Sequence, residues 1–436
     1  MMSQMVAERK IVRENGISCT YNLINFINGM IGPGCFSVAM AFKQGGLWTA
    51  FFLVFFIGTI STLAMQKVVM CSQYLCRITE YEYLDYGNMA AVGFKNSFQI
   101  FSKYHNIAKY FVNGCLIAFQ IGVASVSYVF VIEHIQQILA YFNVGSHLST
   151  TDLFLLYTIP ATLINFVRNI RTVTFICLVG NVFIFLSIAM ILQELFTSSW
   201  QWKSLPVFTS FDGLVNCAGS LLYSFEGQAM VLPLENKLRH PQDMIGFTGV
   251  LSTGMSLVSI VYTYCGFFGY ITYGQDVQGS ITLNLPDTTE NVIIKILLVF
   301  VVFFGNVLQI YVIVEMMWPT METSLIERKC SKWIVMGSEY VFRIVTVLVP
   351  MSLSMLIPRL QDIIPFIGIT AGMLLSWIIP SVMSTCVFLP KFIKEQKHLF
   401  YKIGFVSQNI FFFVIGWFFL ISGLQANISA IINNKI

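Results

Sequence analysis

The stretch Ser224-Phe225-Glu226-Gly227 lies inside an apolar run that extends from about Leu214 to about Leu232. The run therefore carries a carboxylate to the depth of a membrane span. An ionisable group there costs roughly 3 kcal/mol or more unless it faces protein or a water-filled cavity. Because Gly227 also relaxes the backbone, we predict a helix in two halves whose freed peptide groups face a ligand. The alternative is that Glu226 only caps a helix or pairs with a neighbouring one.

The composition is that of an integral membrane protein. Of the 436 residues, 56% are hydrophobic and only 11% are charged, and the mean hydropathy is +0.74. Apolar runs of about 20 residues recur along the chain, which is the length of a helix that crosses ~30 Å of hydrocarbon and about twice that of a barrel strand. The net charge of +4 is explained by loop topology and does not call for a nucleic-acid partner.

Eleven membrane spans are predicted, and the first of them is interrupted. It covers about 18–42 and contains Asn28-Gly29-Met30-Ile31-Gly32-Pro33-Gly34, in which three glycines and a proline disfavour a straight helix. The sixth span carries the break at Glu226. The remaining spans are predicted at about 47–70, 107–132, 152–167, 172–196, 247–273, 291–317, 336–357, 363–389 and 403–424, with the sixth at 212–238.

These spans divide the chain into a cytoplasmic tail at 1–17, a transmembrane domain at 18–424 and a non-cytoplasmic tail at 425–436. Most of the 25 lysines and arginines then fall in inside segments, as the positive-inside bias requires. A polar segment at 71–106, with room for a surface helix, joins the second and third spans. Because outside and lumen are topologically equivalent, the plasma membrane and a lysosomal or vacuolar membrane fit equally well.

The spacing of the two breaks predicts an inverted repeat. Spans one and six are five spans apart, and an odd number inverts the second copy relative to the first. Spans one to five and six to ten would then be related by a two-fold axis in the membrane plane, with the site near the midplane between the broken helices. The eleventh span lies outside this 5+5 repeat.

A set of short motifs, in order along the chain, resembles one known group. The motifs are Gly32-Pro33-Gly34 with Ala41 to Gly46, Cys71 to Arg77, Leu84-Asp85-Tyr86-Gly87, Ser224 to Gly227 with Val231 to Lys237, Tyr273-Gly274 with Ser280 to Pro286, and Ile357 to Leu360. Together they are similar to the proton-coupled amino acid transporter branch of the amino acid/auxin permease family. The resemblance covers nearly the whole membrane part of the chain.

This resemblance implies an all-α polytopic protein with a LeuT-type fold that performs secondary active transport of small neutral amino acids, often with protons. The sequence departs from the family pattern in three places that matter here. Leu63 stands where the family usually has a histidine tied to proton coupling. In the first span, Ala39 stands where the family has a proline and Pro33 where it has a small polar residue. The extracellular loop cysteines of many relatives are absent. The usual group for proton coupling is therefore missing.

The chemistry of a free amino acid suggests how the breaks would bind it. The amides of Met30 to Gly34, at the start of a half-helix, would receive the carboxylate, although Pro33 has no N–H. The carbonyls at Tyr223 to Phe225 would receive the ammonium, with Glu226 assisting or carrying a proton. The predicted substrate-binding residues are Gly29, Met30, Ile31, Gly32, Gly34, Tyr223, Ser224, Phe225, Glu226 and Gly227. The alternative for the glycines is close helix packing without a ligand.

Other polar positions are open to two interpretations. Asn113, Gln120 and Ser127 recur every seven residues on one face of the third span, with Tyr128 adjacent, and either line the pathway or form interhelical hydrogen bonds. Gly368, Gly372 and Ser376 are interpreted as a packing seam, and Arg343 is expected to snorkel to the cytoplasmic side. No metal site or cofactor is predicted, because the five histidines lack ligand spacing.

The sequence therefore favours a transporter of small neutral amino acids by alternating access, with proton coupling left open. A membrane receptor that senses an amino acid with little flux is the alternative, for which the segment 71–106 could recruit a partner. A channel is disfavoured because no filter or charged ring is visible. An enzyme is disfavoured because no nucleophile with a base or metal is found.

Overall fold

The computed structural model describes residues 12–14, 16–79, 81–145, 147–166 and 170–433, apart from the side chains of 170–179, 181 and 430–433. Over these residues the secondary structure is helical, with one isolated parallel β-bridge between Ile17 and Leu238. The α-helices are α1 Cys19–Met30, α2 Pro33–Gly45, α3 Leu47–Thr79, α4 Tyr86–Lys95, α5 Gln99–Ser102, α6 His105–Tyr141, α7 Thr150–Ile164, α8 Ile170–Thr197, α9 Phe211–Ser224, α10 Gln228–Lys237, α11 Val250–Tyr273, α12 Thr289–Glu327, α13 Lys332–Leu356, α14 Leu360–Ile367, α15 Ile379–Lys394 and α16 Leu399–Asn433.

Within the described residues, seven helices are long and apolar enough to cross a membrane, or eight if the bent pair α1 and α2 counts as one span. α14 and α15 form one of these as a continuous helix, Leu360–Lys394. The apolar helix α7 and the part of α8 at Val182–Thr197 are shorter. The polytopic character predicted from composition therefore holds, whereas the count of eleven crossings stays a prediction.

The first break, residues 31 and 32 between α1 and α2, arises from the chemistry of Pro33. Its nitrogen carries no hydrogen, so the bond that would continue the helix back to the carbonyl of Gly29 is missing. Pro33 instead takes the first position of α2, where the missing N–H costs nothing. Ile31 and Gly32 are extended, and the two helices meet at an angle of 55°.

The second break, residues 225–227, separates α9 from α10. α9 begins at an N-cap, Ser210, whose hydroxyl accepts the amide of Gly213 at 3.0 Å. At its other end, the carboxylate of Glu226 accepts the amide of Gln228 at 2.9 Å and so caps the start of α10. This bond favours a new helix start at Gln228 over continuation of α9.

Two expectations about the loops and charges are wrong. α3 does not end at Met70 but runs to Thr79, because Gln73 and its neighbours are buried by protein rather than exposed to water. The segment that follows contains the helices α4 and α5.

Arg343 does not snorkel, because it is buried and forms an ion pair with Glu339 at 3.0 Å, one helical turn away.

The seam between the tenth predicted span and α9 is unusually close. A Cβ atom added to Gly368 would overlap the carbonyl oxygen of Gly219 and lie 2.8 Å from the amide nitrogen of Tyr223. Gly368 also begins a π-helical segment, Gly368–Gly372, which is followed by a second, Leu374–Ile378. π-helical turns of this kind often occur at functional sites. Here they lie directly against the helix that ends at the second break.

We expect Gly368→Ala to destabilise the protein, because either α9 or the π-helical segment must move to admit the methyl group. Overpacking of this kind costs about 1–3 kcal/mol, so the melting temperature of the detergent-purified protein should fall by several degrees, as measured by size-exclusion chromatography after heating. Gly305→Ala is the matched control, since nothing lies within 4 Å of a Cβ at that position in α12. Equal melting temperatures for the two variants would contradict the close packing.

Candidate functional site

The two breaks lie in direct contact. The hydroxyl of Ser224, at the end of α9, lies 3.0 Å from the carbonyl oxygens of both Gly34 and Ser220 and can donate its hydrogen to either. A Cβ atom added to Gly34 would lie 3.2 Å from the Cα of Ser224, and one added to Gly227 would lie 2.7 Å from the sulfur of Met30. Residues about 190 positions apart in sequence are therefore neighbours, as the pairing of the two breaks predicts.

Tyr262 of α11 connects the two breaks. Its ring is completely buried, and its hydroxyl lies 2.7 Å from the carbonyl oxygen of Met30 and 2.9 Å from that of Ser224. Both carbonyls belong to last residues of helices, α1 and α9, which have no partner within their own helix. One side chain therefore stabilises the freed ends of both half-helices, and sequence reasoning did not single it out.

Free backbone donors remain at the start of α2. Within the described chain, the N–H groups of Gly32 and Gly34 have no hydrogen-bond partner. They lie at the amino end of the helix, where the aligned peptide dipoles favour an anion. Pro33 between them offers no donor, so a bound carboxylate would be received by these two amides.

Glu226 is the ionisable group at this site. One of its oxygens caps Gln228, and the other accepts the hydroxyl of Ser376 from the second π-helical segment. Both contacts are those expected if Glu226 only caps a helix or pairs with a neighbouring one. Its side chain is nevertheless partly exposed and, over the described residues, forms no ion pair. Since each carboxylate oxygen can accept two hydrogen bonds, capacity remains for a ligand.

Two buried polar side chains, one at the second break and one in α4, lack partners within the described chain. Gln228 is buried, and neither its amide nitrogen nor its amide oxygen is hydrogen-bonded within the described chain. The buried hydroxyl of Tyr86 in α4 is likewise unpartnered there. Buried polar groups are rarely left unsatisfied, so these atoms indicate a position for water or ligand.

The structure shows what the two neighbours of Tyr86 in its motif, Asp85 and Gly87, do. Asp85 is the N-cap of α4 and accepts the amide of Asn88 at 2.6 Å. Gly87 lies so close to α6 that a Cβ atom would overlap the side chain of Asn113. Asn113 therefore packs against α4, which favours the packing interpretation for this residue over a place in the pathway.

The remaining predicted residues divide between the breaks and the helix packing. Phe225 is fully buried and lies 5.0 Å, ring to ring, from Tyr262, so only its peptide group is available to a ligand. The ring of Tyr223 packs against Phe119 at 6.1 Å. Ile31 is buried in the core, whereas Gly29 is exposed. At the two breaks, the groups available to a ligand are thus mainly backbone, together with the charged side chain of Glu226.

The other three candidates for the pathway on α6, Gln120, Ser127 and Tyr128, are all buried. Ser127 donates to the carbonyl of Val123 in its own helix at 3.0 Å. Tyr128 packs edge-on against Tyr157 of α7 at 5.5 Å. These contacts fit interhelical packing, whereas Gln120 lies next to Phe119, which contacts the second break through Tyr223.

Lys67 is a buried cation that the sequence analysis missed. It lies one turn after Leu63 in α3, and its ammonium donates to the amide oxygen of Asn409 in α16 at 2.6 Å. The ammonium also lies 4.5 Å from the ring centre of Phe412. Over the described residues, no group of three or more His, Cys, Asp or Glu side chains is arranged to hold a metal ion.

Two broken helices whose freed peptide groups meet inside a polytopic helical protein are typical of membrane transporters. The chain matches the family described as "Transmembrane amino acid transporter protein" over residues 15–428. It is 32% identical over 427 residues to the "Probable amino acid transporter skat-1" of Caenorhabditis elegans, covering 96% of this chain and 91% of that protein. It is 27% identical over 432 residues to the "Proton-coupled amino acid transporter-like protein pathetic" of Drosophila melanogaster, covering 97% and 87%.

The chain therefore belongs to the transmembrane amino acid transporter family. The resemblance to proton-coupled amino acid transporters of the amino acid/auxin permease family is confirmed. The protein is an integral membrane protein of a transporter family and not an enzyme.

We expect Tyr262→Phe to destabilise the protein without changing the shape of its core. The variant leaves two buried carbonyls without their donor, which costs about 1–3 kcal/mol. The melting temperature in detergent should therefore fall. Tyr264→Phe is the matched control, because Tyr264 lies on the same helix with 45% of its surface exposed. If both variants melt at the wild-type temperature, Tyr262 does not hold the breaks together.

Proposed function

We propose that this protein is a secondary active transporter that moves small neutral amino acids across a membrane by alternating access. We further propose that it does so with a LeuT-type 5+5 inverted repeat, in which α1–α2 and α9–α10 are the broken first and sixth spans. The observation that carries the proposal is the contact between the two breaks through Ser224, Gly34 and Tyr262.

The substrate would lie beside this contact. Its carboxylate would accept the N–H groups of Gly32 and Gly34, and its ammonium would donate to Glu226 and to the carbonyls at the end of α9. The unpartnered amide of Gln228 offers both a donor and an acceptor at the same place. Because Met30 and Met65 pack against Gly227, the space beside the breaks favours a small side chain.

The two ends of the helix bundle differ in the way that alternating access requires. A cavity of about 580 Å³ opens at the end that carries Lys43, Asp276 and Arg359, which the charge pattern places outside. At the other end, the segment before α1 runs beside the end of α10, and Arg13 forms an ion pair with Glu235 at 3.6 Å. The same carboxylate accepts the amide of Gln73 at 3.2 Å. This arrangement supports a conformation that is closed toward the cytoplasm.

Measured uptake decides between this function and the receptor alternative. Purified protein in liposomes should accumulate radiolabelled alanine, glycine or proline and exchange it with unlabelled amino acid. Saturable binding without any exchange would favour the receptor.

We expect Glu226→Gln to abolish uptake while the protein still reaches the membrane. The amide can neither carry a negative charge nor accept a proton, and loss of a charged hydrogen bond costs about 1.5–3 kcal/mol, or roughly tenfold or more in transport efficiency. Glu327→Gln, at the exposed end of α12, is the matched control and should transport normally. Wild-type uptake and pH dependence in Glu226→Gln would refute the role of this carboxylate.

We expect uptake to depend only weakly on external pH, because Leu63 replaces the histidine that would titrate in this range. Initial uptake rates should change by less than about twofold between about pH 5.5 and about pH 7.5, with the membrane potential clamped. The Drosophila relative is named as proton-coupled, so a steep acid stimulation here would show that another group of this chain replaces the histidine.

A further inference from the structure

The cavity at the predicted outer end has the chemistry of a second amino acid site. It holds about 580 Å³ and lies between the end of α2, the last part of α6, the loop after α11 and the start of α14. Its charged lining residues are Lys43, Glu133, Asp276 and Arg359, two cations and two carboxylates. Ligand cavities usually have volumes of about 300–1,000 Å³. A lining whose charges balance favours a zwitterion over an anion or a cation.

Glu133 is a lining residue with an unpaired hydrogen-bond acceptor among the described residues. One oxygen of its carboxylate accepts the amide of Leu360 at 3.2 Å. The other oxygen is buried and has no hydrogen-bond partner among the described residues. The amide oxygen of Gln137, one helical turn further along α6, is unpartnered in the same way, while its nitrogen donates to the carbonyl of Leu283 at 3.0 Å. Both residues line the cavity, and each has one buried acceptor oxygen without a partner in the described chain. An ammonium group that reached these oxygens would satisfy both.

Two cations, Lys43 and Arg359, also line the cavity. The ammonium of Lys43, at the end of α2, donates to the carbonyl of Val277 at 3.0 Å and keeps two hydrogens for another acceptor. Arg359, before α14, is exposed at the mouth of the cavity. We expect a carboxylate to bind between these two cations.

This cavity is connected to the breaks by α2 and α9 but is separate from them. Lys43 lies nine residues beyond Gly34 in α2, a distance of roughly 14 Å at 1.5 Å per residue. Next to it, the amide oxygen of Gln44 accepts the hydroxyl of Ser220 at 3.1 Å, and its nitrogen donates to the carbonyl of Gln361 at 3.4 Å. Ser220 lies one turn before Ser224, so Gln44 connects the lining residue Gln361 to the helix that ends at the second break.

We propose that this cavity is a second binding site for a zwitterionic α-amino acid, which holds the substrate before it reaches the breaks. Glu133 and Gln137 bind the ammonium group, and Lys43 and Arg359 bind the carboxylate. The proposal rests on the proposed function for the path that the substrate takes, but binding in the cavity can be measured without transport.

The test is equilibrium binding of radiolabelled L-alanine to the purified full chain. Wild-type protein should bind two molecules per chain at saturation, and Glu226→Gln should retain one, in the cavity. Adding Glu133→Gln to Glu226→Gln should weaken the remaining binding by at least about tenfold, as loss of a charged partner predicts. Arg359→Gln is exposed and should have the same effect without affecting folding. Glu290→Gln, an exposed carboxylate near the same end in α12, should change nothing.

Two outcomes would overturn the site. Either Glu226→Gln binds no alanine at all, or its remaining binding is unaffected by both Glu133→Gln and Arg359→Gln. Flux measured in liposomes separates this result from the proposed function. If the protein transports amino acids but shows no binding that depends on Glu133, only the cavity site is refuted. If it binds alanine through Glu133 but transports no amino acid, only the transporter function is refuted.

Discussion

The structure depends on the cost of an unpaired peptide group inside a membrane. Hydrocarbon offers no hydrogen bonds, so each bare N–H or C=O costs several kcal/mol. The two breaks expose such groups, and other helices satisfy part of them. The hydroxyl of Tyr262 in α11 lies within hydrogen-bond distance of the carbonyls of Met30 and Ser224. The hydroxyl of Ser376 in the second π-helical segment donates a hydrogen bond to Glu226. Among the described residues, the amides of Gly32 and Gly34 have no partner, and the proposed substrate would bind its carboxylate there.

The breaks themselves could be predicted from sequence because their causes are local. Pro33 lacks an N–H wherever it stands, and a carboxylate at Glu226 beside Gly227 disfavours an uninterrupted apolar helix. Their contact followed from counting spans, without any residue pair to support it. The end of α3 could not be predicted, because hydropathy treats Gln73 as a residue facing water. It is in fact buried and bonded to Glu235.

The hydrogen-bond partners of the buried polar groups could not be predicted from the sequence. Tyr262 lies 232 residues from Met30, and Ser376 lies 150 residues from Glu226, so no local pattern connects them. The same is true of Lys67 and Asn409. The pair Glu339 and Arg343 is different, since its spacing of four residues was visible and fits an ion pair on one helix face. The sequence thus shows which polar residues lie in apolar helices, but it does not show which distant residues they bond to.

The hydroxyl of Tyr262 has a single hydrogen but lies within bonding distance of two carbonyl oxygens. It can therefore donate fully to only one of them at a time, by rotation about the bond between ring and oxygen. If α1 swings away, the hydrogen turns to α9; if α9 withdraws, it turns to α1. The Tyr262 hydroxyl would then keep a hydrogen bond to whichever half-helix stays in place, so movement of either one alone would not leave this donor unpaired.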